Sequence, residues 1–207
     1  MRLYSAASSP YARKVMVVLH ETGQFDDVEV VPVYGSPTNP DTMPLAKNPL
    51  GKLPALERAD GPALYDSRVI CRYLNDRAGA RLYPDPPRLW DTLTLEATGD
   101  GILDAALLMV YEGRLRPADK QFPDWVEGQW AKVDRALDVL NERWISHLSA
   151  RMDIGQIAVG CALGYLDFRL GDRDWRAGRD GLGAWYDKIA ERPAMQATIP
   201  VNPPQIA

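Results

Sequence analysis

The feature that most constrains this chain is a change of pattern at the proline cluster Tyr83-Pro84-Asp85-Pro86-Pro87. Before it, short β-branched runs alternate with helical stretches. After it, no run reads convincingly as a strand, and apolar residues recur at helical spacing. Proline lacks a backbone N–H and fixes φ, so such a cluster resists both helix and sheet and marks a boundary. The expected organisation is an α/β domain over 1–78, a linker over 79–87 and an all-helical domain over 88–207.

The first part reads β-α-β-loop-β-β-α. Arg2-Leu3-Tyr4 is a short strand. Ser9 and Pro10 open a helix that runs to about Gly23, with serine as N-cap and proline at the first helical position. Ala12, Val15, Val18 and Leu19 form its apolar face. Val28 to Val33 is a β-branched strand. A proline-punctuated loop follows to Lys52, then short strands near Leu53 to Leu56 and Ala63 to Tyr65, separated by the turn Ala59-Asp60-Gly61-Pro62. Asp66 opens a second helix, whose expected apolar face is Val69, Ile70, Tyr73 and Leu74.

In the second part, Trp130, Val133, Leu137, Leu140 and Trp144 alternate in steps of three and four, which predicts a long amphipathic helix. Asp153-Ile154-Gly155-Gln156 reads as a capping box with aspartate in place of Ser or Thr. It introduces a helix to about Leu170. Gly155, Gly160 and Gly164 within that helix predict close helix contacts, and Gly99 and Gly101 predict a bend or tight contact in an earlier one. A last helix near Gly183 to Glu191 precedes a proline-rich tail.

Several functions are excluded by composition. The net charge of −4 offers no global basic field for nucleic acid. The most apolar run, 154–166, falls short of the roughly 20 residues a membrane helix needs. Cys71 and Cys161 are 90 positions apart, and His20 and His147 are as scattered, so neither a metal site nor a disulfide framework is expected. A cytoplasmic protein without a metal follows as the expectation.

Four local patterns occur in one order. Ser8-Ser9-Pro10-Tyr11 with Arg13-Lys14 comes first, followed by Asn48-Pro49-Leu50-Gly51-Lys52-Leu53-Pro54-Ala55-Leu56. Leu64-Tyr65-Asp66-Ser67 with Ile70 and Tyr73-Leu74 is third. The stretch from Ala158 to Arg169, and Trp185 with Arg192-Pro193, close the series. Together they resemble the glutathione transferase superfamily, in particular small bacterial members with a serine-type SPY motif. The resemblance implies a thioredoxin-like N-terminal domain, an all-helical C-terminal domain and a homodimer. It further implies glutathione on the first domain, with a small hydrophobic electrophile between the two.

A glutathione thiol has a pKa near the ordinary cysteine value of about 8.5, so activation means favouring the anion. A hydroxyl donor and the positive end of a helix both do so. Ser9, at a strand-to-helix junction, offers both, with Ser8, Ser5 and Tyr4 as neighbouring alternatives. The resemblance puts a cysteine at this place in redox members. Serine cannot form a mixed disulfide, so conjugation or a peroxidase-like reaction is favoured, with glutathione bringing the only working thiol.

The resemblance also gives a cis Leu53-Pro54 bond that turns the Leu53 backbone toward the tripeptide, as an added strand would pair. Asp66 and Ser67 at a helix start suit the γ-glutamyl end, and Lys52 the glycyl carboxylate. Asp104 corresponds to an acid that can reach the neighbouring subunit's ligand. Tyr11, Met109 and Tyr111, with Leu107 and Val110, would line the hydrophobic site, or serve equally as core. The expected function is transfer of glutathione to a small hydrophobic electrophile. A glutathione-dependent peroxidase or isomerase, or a non-catalytic glutathione-binding protein of the same fold, are the alternatives.

Overall fold

The computed structural model describes residues 1–202. The proline-rich tail runs into positions 203–207, which lie outside the described residues. The chain forms two compact units: Met1–Pro84 together with the segment that starts at Pro193, and Asp85–Arg192.

In the first unit, β1 (Arg2–Ser5), β2 (Glu29–Pro32), β3 (Ala55–Arg58) and β4 (Gly61–Leu64) make one sheet in the order β2-β1-β3-β4. β1 runs parallel to β2, and β3 runs antiparallel to both β1 and β4. A parallel pair needs a crossover, which α1 (Pro10–Glu21) supplies. Gly61 and Pro62, expected in the turn, already belong to β4. That strand is at the sheet edge, where a missing proline N–H costs no ladder bond.

Leu3 and Leu56 from the sheet and Ala12, Val15, Val18 and Leu19 from α1 are fully buried. Burial of each large apolar side chain among them contributes about 1.5–3 kcal/mol. α2 (Ser67–Arg77) buries Ser67, Ile70, Cys71, Leu74 and Asn75. That stripe differs from the expected one, because Val69 is 48% exposed. Positions 67, 70, 71 and 74 share a face at three- and four-residue spacing, and Val69 lies outside it.

The last described segment returns to this unit. α8 (Pro193–Gln196) packs on α1, and the buried Arg13 guanidinium donates to the Met195 carbonyl at 3.2 Å. The helical unit therefore stops at Arg192, whereas the sequence pattern carries it to 207.

The second unit contains α3 (Arg88–Leu115), α4 (Pro123–Arg143), α5 (Ile145–Leu148), α6 (Ile154–Arg169) and α7 (Asp180–Ala190). The capping aspartate is where the sequence predicts it. Asp153 Oδ1 accepts from the Gln156 N–H at 3.2 Å, while Oδ2 accepts from Thr92 Oγ1 at 2.9 Å and lies 2.8 Å from His147 Nε2. The box is not reciprocal: the Gln156 amide donates to the carbonyls of Arg151 and His147.

Every residue of α6 from Ile154 to Leu166 is buried. A helix enclosed in this way needs backbone-close neighbours, and glycine provides them. A Cβ on Gly99 of α3 would stand 2.7 Å from the Ala158 carbonyl carbon, and one on Gly155 would stand 2.7 Å from Leu95 Cβ. Gly101 differs from the expectation of a tight contact, since a Cβ there would meet nothing within 4 Å. It points away from the α6 side. Gly99→Ala is therefore expected to lower unfolding stability by about 1–3 kcal/mol, because the obstacle is backbone. Gly101→Ala, in open space within a helix, is expected to raise it by up to about 1 kcal/mol. Urea unfolding of the two variants checks the pair, and equal effects would contradict it.

Candidate glutathione site

The sheet register brings three chain segments to one end of the first unit. Tyr4 pairs with Ala55, and Leu56 pairs with Leu64. Ser9 follows the end of β1 by four residues, Pro54 immediately precedes β3, and Asp66 follows β4 by two. Both α1 and α2 start at this end, so their positive poles converge on it.

Ser9 is the N-cap of α1, with extended backbone (φ −83°, ψ 118°). Its Oγ accepts from the Ala12 N–H at 3.3 Å. That bond occupies a lone pair and leaves the hydroxyl proton to be donated elsewhere. The side chain is half-buried, as are those of Ser8 and Tyr11.

The alternatives to Ser9 are placed differently. Ser5 is a buried strand residue on the same face as Leu3. Tyr4 points to the other face, where its hydroxyl donates to Glu57 Oε2 at 2.9 Å, and Lys47 Nζ donates to Glu57 Oε1 at 2.6 Å. The bond to Glu57 is the main reason the Tyr4 phenol is raised above its ordinary pKa. The Glu57 carboxyl is in turn held low, first by Lys47 and then by Tyr4. Nothing in the Tyr4, Lys47 or Glu57 residue types marks this three-membered cluster in the sequence. Only strand pairing assembles it.

The motif around Lys52 has a mechanical explanation. Asn48, 2% exposed, accepts from the Leu50 N–H at 3.0 Å and donates to the Lys52 carbonyl at 2.7 Å. Gly51 adopts φ +59°, a left-handed conformation that glycine takes without a Cβ penalty. The turn thus delivers an exposed Lys52 and a half-buried Leu53 into β3. The Leu53-Pro54 bond is cis.

Asp66 caps α2 through the Arg68 N–H at 3.0 Å and pairs with the Arg68 guanidinium at 2.8 Å. Partial burial pushes its carboxyl pKa up, but the Arg68 contacts and the Lys14 charge outweigh this, so it lies below the usual value. Lys14, part of the first motif but given no role there, is fully buried within α1. Ser67 is 3% exposed at the first position of α2.

The remaining predicted residues belong to α3, in the other unit. Asp104 is exposed, Met109 is buried and Tyr111 is half-buried. Burial raises the Tyr111 phenol above its ordinary pKa, with Arg114 opposing. A cavity of about 590 Å³ in the first unit is bordered by Lys47, Glu57, Arg58 and Tyr65. Neither Ser9 nor Ser67 borders it, so this cavity is not where the helix termini meet.

Residues 8–77 match the model of the glutathione S-transferase N-terminal domain, and residues 123–188 match that of the C-terminal domain. The uncharacterized GST-like protein YibF of Escherichia coli (strain K12) is 34% identical over 206 residues, spanning 97% of this chain and 98% of that protein. A glutathione transferase family member from Pseudomonas fluorescens Pf-5, solved with bound glutathione, is 47% identical. It superposes with a TM-score of 0.94 over 97% of this chain and 99% of that one. A second structure of a family member from that organism, with bound S-(propanoic acid)-glutathione, is 46% identical at a TM-score of 0.90, covering 98% and 100% of the two chains. With its thioredoxin-like sheet unit and its helical unit, the chain belongs to the glutathione S-transferase family.

Proposed function

We propose that this protein is a glutathione transferase in which Ser9 donates its hydroxyl proton to the glutathione sulfur and holds it as thiolate for attack on a small electrophile. The observation that carries this reading is the hydroxyl of Ser9 at the N-terminus of α1, with its oxygen already engaged as an acceptor. Lowering a thiol pKa by two units takes about 2.7 kcal/mol. One hydrogen bond to the anion together with a helix terminus supplies that amount.

The tripeptide is assigned to the same end of the sheet. The Leu53 backbone is assigned to pair with the cysteinyl segment. Asp66 takes the γ-glutamyl ammonium, the Ser67 hydroxyl and the α2 terminus take its carboxylate, and Lys52 takes the glycyl carboxylate. The glutathione-bound relative supports glutathione as the ligand. The relative that holds S-(propanoic acid)-glutathione supports an electrophile whose conjugate carries a carboxylate.

The working protein is proposed to be a cytoplasmic homodimer. Exposed Val69 on α2 and exposed Trp90 and Leu108 on α3 offer apolar surface for a second copy. Asp104 is assigned to the neighbouring subunit's ligand. Tyr11, Met109 and Tyr111 are assigned to the electrophile. A sedimentation mass of one chain would overturn the dimer.

Millimolar glutathione is expected to raise the unfolding temperature of the wild-type protein. Ser9→Ala is expected to keep that shift, to raise the pKa of the bound thiol, and to lower kcat/KM with an activated haloarene by about 10²–10³-fold. Thiolate absorbance and conjugation rates check it. An unchanged bound-thiol pKa would move the role to Ser8.

Asp66→Asn separates cap from charge, because asparagine caps helices as well as aspartate does. The variant is expected to bind glutathione about tenfold more weakly, a loss of about 1.4 kcal/mol. Its acid stability follows from the direction of the pKa shift. With its pKa lower when folded, Asp66 contributes stability that is fully present above the ordinary aspartate value of about 3.9. That contribution is lost as pH falls through the depressed value. The acid limb of the Asp66→Asn stability profile, read by urea unfolding across pH, is expected to be shallower than that of the wild type.

A further inference from the structure

The end of α3 carries a carboxylate that is withdrawn from solvent and matched on one oxygen. Glu112 is 6% exposed. Its Oε1 meets Arg116 Nε, one helical turn further on, at 2.7 Å. The same oxygen accepts from the Phe122 N–H at 3.0 Å. Among the described residues, no donor hydrogen-bonds Oε2. A buried carboxylate is costly unless its oxygens are paired, so an unmatched one is a place for a ligand's N–H.

Glu112 borders a cavity of about 270 Å³ together with Arg116, Lys120, Phe122 and Trp125. All five residues belong to the second unit. The connection from α3 to α4 that forms the rim is held in shape by Gln121. Its amide donates to the carbonyls of Arg116 at 3.1 Å and Gly113 at 3.4 Å. A helix end leaves such carbonyls without partners of its own. The Lys120 N–H donates to the Pro117 carbonyl at 2.9 Å, which fixes the backbone of that residue too. Pockets for drug-sized ligands run from about 300 to 1,000 Å³, so this one suits a smaller molecule.

The lining presents both signs of charge. Arg116 and the Phe122 N–H hold the Glu112 carboxyl below its ordinary pKa, so it is ionised at neutral pH. The Lys120 ammonium pairs with no acid among the described residues, and its sequence neighbours Asp119 and Asp124 do not border the cavity. Phe122, 58% exposed, and half-buried Trp125 add two aromatic surfaces. A bare amine would match Oε2 but enter against Arg116 and Lys120. A bare acid would match Lys120 but lie beside Oε2. A ligand with both groups satisfies both.

We propose that Glu112, Lys120, Phe122 and Trp125 form a binding site for a free α-amino acid with an aromatic side chain. Its ammonium donates to Glu112 Oε2, its carboxylate meets Lys120, and its ring lies against Phe122 and Trp125. The site does not depend on the glutathione reading above.

Isothermal titration of the purified full-length protein compares L-phenylalanine with three probes that each lack one group. 2-Phenylethylamine lacks the carboxylate, 3-phenylpropanoate the ammonium and L-alanine the ring. Wild-type protein is expected to bind L-phenylalanine about tenfold more tightly than any of them. Lys120→Gln is expected to erase the advantage over 2-phenylethylamine and keep that over 3-phenylpropanoate. Glu112→Gln is expected to do the reverse, and glutamine still accepts from the Phe122 N–H. Each ratio is read within one variant, so a general loss of fold does not imitate the result. Saturating glutathione is expected to leave the L-phenylalanine affinity unchanged.

No binding of L-phenylalanine by wild type at about 10 mM, or advantages that both variants retain, overturns the site. Equal or tighter binding of 2-phenylethylamine overturns the two-signed ligand. Glutathione carries an α-amino carboxylate of its own. Displacement of L-phenylalanine by glutathione would therefore place the amino acid at the γ-glutamyl position of the first unit, and also overturns the proposal.

Discussion

The first unit depends on strand register. Its strands are only four residues long, so the sheet has few ladder bonds to spend on a misalignment. A slip of one residue would turn Leu3 and Leu56 out of the core and put Tyr4 and Glu57 in their place. With Tyr4 opposite Ala55 and Leu56 opposite Leu64, the ends of three segments arrive together. The candidate site is a by-product of that alignment. The three segments that form it need not be adjacent in sequence.

Much of this was legible beforehand because local chemistry and tertiary structure agree. Ser9-Pro10, Asp66 and Asp153 each announce a helix start, and each is found capping one. The NPLGK turn is readable because asparagine and glycine at those positions have few other uses. Resemblance to a family then joined these local signals into a fold.

What was not legible depends on long-range neighbours. Val69 fits an apolar face by composition, but the face is chosen by where α1 and the sheet lie. Tyr4 was a candidate activator until strand pairing placed Glu57 beside it, 53 residues away. The arginines after 168 look alike in sequence, a mixed-charge surface. Which acids α4 and α6 present to Arg173, Arg176 and Arg179 emerges only from how the helices pack. Gly99 and Gly101 look equivalent until Ala158 occupies the space beside one of them.

The return of the chain at Pro193 has a consequence for the order of events during synthesis. The helical unit is contiguous and is complete once Arg192 has been made. The sheet unit is not, because the carbonyl that receives the Arg13 guanidinium belongs to Met195. Residues 85–192 are therefore made before the N-terminal half has the segment that receives Arg13. N-terminal domains usually fold first. Here the portion translated first carries a contact with a segment translated after the helical unit.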